Sequence, residues 1–97
     1  MTSRRRYLVT YDVADDKRRD QVFACCMQQG DHTQYSVFIA DLSDRELVVF
    51  RAALERIVNH HQDQVLMFDL GPSHRQYGQV IASVGRAYNP PVRALVV

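Results

Sequence analysis

No apolar run in these 97 residues approaches the ~18 consecutive positions of a membrane-spanning helix. The start, MTSRRRYLV, lacks the apolar core and small-residue cleavage site of a signal peptide, so a cytoplasmic protein free of membrane is the expectation. Cysteine is scarce. Cys25 and Cys26 are adjacent in a predicted helix, where successive side chains diverge, so they neither pair with each other nor match zinc-ligand spacing. Both are expected in the core. Excess charge is missing too: 12 basic residues face 11 acidic ones, which excludes a polycationic tail that coats nucleic acid indiscriminately. Internal repeats and low-complexity segments are also lacking.

What is present is an apolar content of 46% in a length suited to one domain with one core. The cations are clustered. Arg4, Arg5, Arg6, Lys17, Arg18 and Arg19 are half of the basic residues and lie in the first fifth of the chain. All basic residues but Lys17 are arginine, the side chain suited to bidentate phosphate contacts. For Arg4 to Arg6 a solvated N-terminal fringe is the alternative reading.

The stretch RRYLVTYDVADDKRR, Arg5 to Arg19, organises the rest. Tyr7 to Tyr11 are aromatic, aliphatic or β-branched, the composition of a central strand packed on both faces. Asp12 ends that strand, where ligands of open α/β sheets collect and where a carboxylate holds a hard cation such as Mg²⁺ against phosphate. The plain alternative is an Asx turn. Two features weigh against it: Asp15 or Asp16 already fills the helix N-cap, and Lys17, Arg18 and Arg19 place three cations in a first turn whose dipole opposes them. An outside anion, phosphodiester first, would offset that cost.

The helix after the cap carries Val22, Cys25 and Cys26 on one face with Phe23 and Met27 beside them, and stops at Gly30, expected at positive φ. His32 to Leu42 is extended, either one long bent strand or two strands meeting near Ser36. Ser43 and Glu46 form a capping box, followed by Leu47, Phe50, Leu54, Ile57 and Val58 at helical spacing. His60 and His61 at its end fit the helix dipole better than a metal. Val65 to Leu70 is expected as a buried strand closed by Gly71 and Pro72, and Val80 to Val84 as a short last strand, broken off by Asn89, Pro90 and Pro91 before the apolar end Leu95 to Val97.

The order is that of a small α+β sandwich with two helices on one sheet face. Residues 1–78 are expected to form the domain and 79–97 a C-terminal strand and tail packing on a partner subunit. The uncovered sheet face implies a homodimer with sheets face to face.

YLVTYDVADDKRR, then QYSVFIADL, then a helix and VLMFDLGP, resemble the small dimeric CRISPR-associated protein of spacer acquisition, the second core Cas family, over Tyr7 to about Pro72. The resemblance implies a ferredoxin-like βαββαβ fold with an extra C-terminal strand, a homodimer, and work beside the CRISPR integrase. It further implies a Mg²⁺-dependent nuclease for single-stranded RNA or double-stranded DNA, as some members are described. By that resemblance Asp12 is the metal-holding aspartate, facing its copy across the dimer axis. Tyr11, Arg19, Ser36 and Phe38 are the accompanying site residues, and Lys17, Arg18 and Arg19 contact the nucleic-acid backbone.

Two functions stay open: an endonuclease with paired Asp12 residues, or a non-catalytic dimeric adaptor that holds DNA by its backbone and bridges the integrase. No evident general base stands near Asp12 in the sequence, which favours the adaptor as the physiological role.

Overall fold

A computed structural model describes residues 3–89 of the chain. The strands β1 (Arg4–Asp12), β2 (Asp31–Gln34), β3 (Val37–Ser43) and β4 (Gln64–Pro72) form one antiparallel sheet in the order β2-β3-β1-β4. Helices α1 (Asp16–Gln29) and α2 (Asp44–Ile57) connect β1 to β2 and β3 to β4 and pack together on one face. This is the expected ferredoxin-like arrangement.

β1 is central because its residues alternate in a way that serves two neighbours and one core. Tyr7, Val9 and Tyr11 point toward the helices and join Phe38, Ala40 and Leu42 of β3, Val22 and Cys26 of α1, and Phe50 and Leu54 of α2. The expected apolar stripe of α2 is therefore its buried face. Ser43 caps α2 by accepting from the Glu46 amide while Glu46 accepts from the Ser43 amide, so the capping box forms as expected. Asp15, and not Asp16, caps α1, with its carboxylate accepting from the Arg18 amide. Burial pushes the Cys26 thiol up to about 12, which leaves it an inert core group, while Cys25 is half-buried beside it.

Gly30 ends α1 in extended backbone, φ −154°, not at the positive φ expected from the sequence. Its glycine is required by crowding instead: a Cβ there would stand 2.5 Å from the Ile39 carbonyl oxygen. The extended region His32 to Leu42 resolves into two strands. Tyr35 and Ser36 make the turn between them, with Ser36 at φ 60°. β4 is not the buried strand expected. It lies at the sheet edge, its alternate residues Val65 and Met67 face the helices, and Leu66 and Phe68 are exposed on the other side, Phe68 by 48%.

The helix-free face is also not wholly bare. Val80 to Asn89 lie over its β2/β3 half, and enclose a cleft of about 860 Å³ with Leu8, Thr10, Val37 and Ile39. Ile39 is buried although it takes no part in the helix-side core. The expected strand Val80 to Val84 does not form: Tyr77–Val80 is a one-turn helix, α3, and residues 81–83 are irregular. A strand needs a ladder partner, and these residues pair with neither edge strand, β2 nor β4. Pro90, Pro91 and the apolar end Leu95 to Val97 lie outside the described residues.

The N-terminal arginines are not a free phosphate-binding row: Arg4 and Arg5 stay in contact with solvent, as a solvated fringe would, but are ion-paired, and Arg6 is buried. Arg4 pairs with Glu46 at 2.6 Å and Arg5 with Asp69 at 2.8 Å, tying β1 to its surroundings. Arg6 is 5% exposed. Its Nε donates to Asp41, its Nη1 to the Arg75 carbonyl at 2.7 Å, its Nη2 to the Ser73 carbonyl at 2.8 Å, and its plane lies 4.0 Å from the Tyr77 ring centroid. This one side chain moors the connection after β4 to the sheet.

Candidate nucleic-acid and metal site at the carboxyl end of β1

Because side chains alternate along β1, Tyr11 and Asp12 leave the strand on opposite faces. Asp12 is exposed, stands opposite Gln64 of β4, and shares its face with Thr10 and Leu8, away from the helices. Tyr11 points the other way, into the core, and stacks on Phe38 with ring centroids 6.2 Å apart. Burial above all raises the Tyr11 phenol, with its hydrogen bond to Ser36 acting in the opposite sense.

The sequence grouped Tyr11, Asp12, Arg19, Ser36 and Phe38, and the structure brings their backbones to one end of the sheet while dividing their side chains. Ser36 is held against β1 by its carbonyl, which accepts from the Tyr11 amide at 3.2 Å. Phe38, 1% exposed, is a core ring contacting Tyr11, Phe23 and His32. Arg19 donates from Nε and Nη2 to the Val13 carbonyl, and from Nη1 to Asp16 at 2.6 Å. Its guanidinium therefore clamps the backbone one residue beyond Asp12.

The first-turn cations are mostly occupied from within. Arg18 donates to both carboxylate oxygens of Asp63 and to Gln62, so an internal carboxylate supplies the negative charge that the helix start was expected to draw from outside. Lys17 is exposed, and no ion pair holds it among the described residues.

Asp63 was missed from the sequence. Its carboxylate is sealed from solvent and accepts from the Ala14 amide at 3.0 Å, the Asn59 amide at 2.8 Å and Arg18, so it buttresses the turn that follows Asp12. A lone Asp between a helix and a strand carries no local signal, and its main partner is 45 residues away. The Arg18 guanidinium, helped by those two amides, holds the carboxyl well below the usual carboxylate range. Its folded pKa is depressed, so the stability it contributes is present above its unfolded value of about 4 and is lost as pH falls through the folded one. Urea midpoints measured from pH 7 down to pH 2 are expected to fall in the acid range, and Asp63→Asn to start lower at pH 7 and flatten that fall; equal acid slopes would contradict the assignment.

Among the described residues no group of three or more His, Cys, Asp or Glu is placed to hold a metal. Asp15, Asp16 and Asp63 at this end are engaged by the Arg18 amide, the Arg19 guanidinium and the Arg18 guanidinium, whereas Asp12 faces solvent. A single exposed carboxylate fits Mg²⁺ in part, since that ion keeps several waters and takes one or two carboxylates. His60, set aside as a ligand in the sequence, stands within 3.2 Å of the Glu55 carbonyl at the end of α2. No helix among the described residues is long and apolar enough to cross a membrane.

The family model described as CRISPR associated protein Cas2 matches residues 5–78. A protein of Geobacter sulfurreducens named CRISPR-associated endoribonuclease Cas2 is 34% identical over 91 residues, 94% of this chain and 95% of that one. One of the proteins of that name in Rhodospirillum rubrum is 37% identical over 82 residues, 84% of this chain and 79% of the relative. Among solved structures, a hypothetical protein from Thermus thermophilus superposes with TM-score 0.73 at 28% identity, covering 91% of this chain and 99% of that one. Cas2 of Streptococcus pyogenes superposes with TM-score 0.71 at 27% identity, covering 82% and 99%. Strand-end aspartate, hairpin and capped helices thus stand in a fold shared with Cas2 structures, and the chain belongs to the CRISPR associated protein Cas2 family.

Proposed function

We propose that two copies of this chain form a Mg²⁺-dependent endonuclease of CRISPR adaptation, with the two Asp12 carboxylates holding the metal. RNA is the first substrate to test because the relatives are named endoribonucleases. The observation that carries the reading is the placement of Asp12, an exposed carboxylate at the end of the central strand on the face without helices. Leu66 and Phe68 leave an apolar strip exposed on the same face, and a second copy seated there would bring two Asp12 side chains toward one axis.

Bound Mg²⁺ supplies charge to the scissile phosphate and acidity to water. The chain supplies rigidity around it. Arg19 fixes the Val13 carbonyl, the Ser36 carbonyl is pinned to the Tyr11 amide, and the Tyr11 and Phe38 rings form a packed floor that keeps the strand end from yielding. Lys17 presents an ammonium for a backbone phosphate, while Arg18 and Arg19 reach phosphate only by sharing donors with Asp63 and Asp16. The affinity for nucleic acid is then modest, insensitive to sequence and weakened by salt.

Purified protein incubated with single-stranded RNA is expected to cleave it in Mg²⁺ and to stop when a chelator is added. Cleavage unchanged by the chelator, or none at any Mg²⁺ concentration, would remove the nuclease reading.

A further inference from the structure

Tyr35 is 79% exposed at the tip of the β2/β3 hairpin. A single exposed aromatic ring is ordinary on a protein surface. This one differs in how its position is enforced. Ser36, the next residue, takes φ 60°, a left-handed conformation that costs a non-glycine residue energy, and the bond from the Tyr11 amide to its carbonyl holds the turn in place. Backbone strain is thus maintained in a tip that projects its ring into water. The ring takes no part in the cluster of Tyr11, Phe23, His32 and Phe38 directly behind it.

The neighbours suit a single strand of nucleic acid. Thr10 stands opposite Val37, and the Tyr11 amide bonds the Ser36 carbonyl, so the hairpin tip that carries Tyr35 lies beside the end of β1 where Asp12 stands. Arg19 is at the same end of β1: its guanidinium donates to the Val13 carbonyl, one residue past Asp12. A flat ring, a guanidinium and the carboxylate proposed to hold Mg²⁺ therefore share one end of the sheet. Base-on-aromatic stacking beside cations is how proteins bind single strands without reading sequence.

We infer that Tyr35 is a stacking platform for an unpaired base of a single strand whose backbone passes over the Asp12 end of β1. The inference deepens the nuclease reading and rests on it for the kind of ligand, but its test does not use cleavage. Stacking orients the strand before reaction, so Tyr35 is a positioning residue.

The chain has no tryptophan, so Tyr35→Trp places a single indole at the tip. With chelator present, a short single-stranded RNA is expected to quench that indole, and an abasic strand of equal length to leave it bright. Tyr35→Ala is expected to bind the single-stranded RNA about tenfold more weakly, to bind the abasic strand as the parent does, and to keep its melting temperature; Tyr35→Phe is expected to retain parental affinity. Equal affinities of parent and Tyr35→Ala for the single strand, or equal quenching by the abasic strand, would overturn the inference. The readings separate: quenching without any cleavage in Mg²⁺ supports the platform and removes the nuclease, whereas cleavage with no Tyr35 effect on binding removes the platform and leaves Asp12 standing.

Discussion

Asp12→Asn is expected to lower Mg²⁺-dependent cleavage by orders of magnitude while the protein stays folded and continues to bind nucleic acid. The replacement keeps the shape and much of the hydrogen bonding of the side chain and removes the charge that a hard cation requires. Asp12 is exposed, and neither the cap of α1 nor the ties of the following turn use it, since Asp15 and Asp63 do that work. Exposed substitutions of this kind usually change stability by no more than about 0.5 kcal/mol. If two copies do face each other at this residue, loss of two facing carboxylates relieves repulsion, and backbone binding is expected to persist or tighten.

The measurement is cleavage of single-stranded RNA by rigorously purified parent and variant, with binding recorded in parallel. Undiminished cleavage by Asp12→Asn would exclude Asp12 as the metal ligand and point to another site or a contaminant. Integration of new spacers with a partner integrase is a separate assay. Survival of integration in the variant would assign that process to a scaffold that needs the backbone contacts and not the metal.

The second large effect is expected at Arg6. Its guanidinium is shared among Asp41, the carbonyls of Ser73 and Arg75, and the Tyr77 ring, so Arg6→Ala removes every one of these ties at once. Removing one member of a buried ion pair costs about 3–5 kcal/mol, and the lower end applies because the Asp41 side chain keeps access to water. A loss of about 3 kcal/mol corresponds to a fall in Tm of roughly 12–24 °C for a domain of this size. Measurements belong at one fixed protein concentration, since any coupling to assembly makes Tm depend on it.

Local exchange distinguishes the mooring role from general damage. Amide protection is expected to drop first in residues 73–81, where the Gln79 and Ile81 amides bond to Gln76 and Tyr77 carbonyls, with β1 and β3 less affected. Uniform loss of protection across the sheet would mean that Arg6 supports the core itself. Ile39, covered by the segment that Arg6 moors, would then gain solvent in the first case only after that segment lifts.

The elements and their order were legible in the sequence because each depends on neighbours close along the chain. The capping box at Ser43 and Glu46, the stripe from Leu47 to Val58, the apolar run Tyr7 to Tyr11 and the acidic cap before Lys17 are local patterns, and their periodicities dictate helix or strand before any tertiary contact forms. The resemblance to the Cas family was legible for the same reason, since its motifs are short and in order.

Only the tertiary structure decided what the charges do. Arg4, Arg5, Arg6, Arg18 and Arg19 read as a free cationic cluster, yet each finds a carboxylate, most of them far along the chain, because folding brings β3, the start of α2, β4 and the loop before β4 against β1 and α1. Gly30 was read as a conformational need and is a steric one, set by an Ile39 carbonyl that only the sheet places there. Whether Val80 to Val84 becomes a strand could not be read locally either, because a strand exists only where an edge with free hydrogen-bonding groups is within reach. Local periodicity determines the elements; pairing between distant charges, close backbone approach and strand partnership are properties of the assembled sheet.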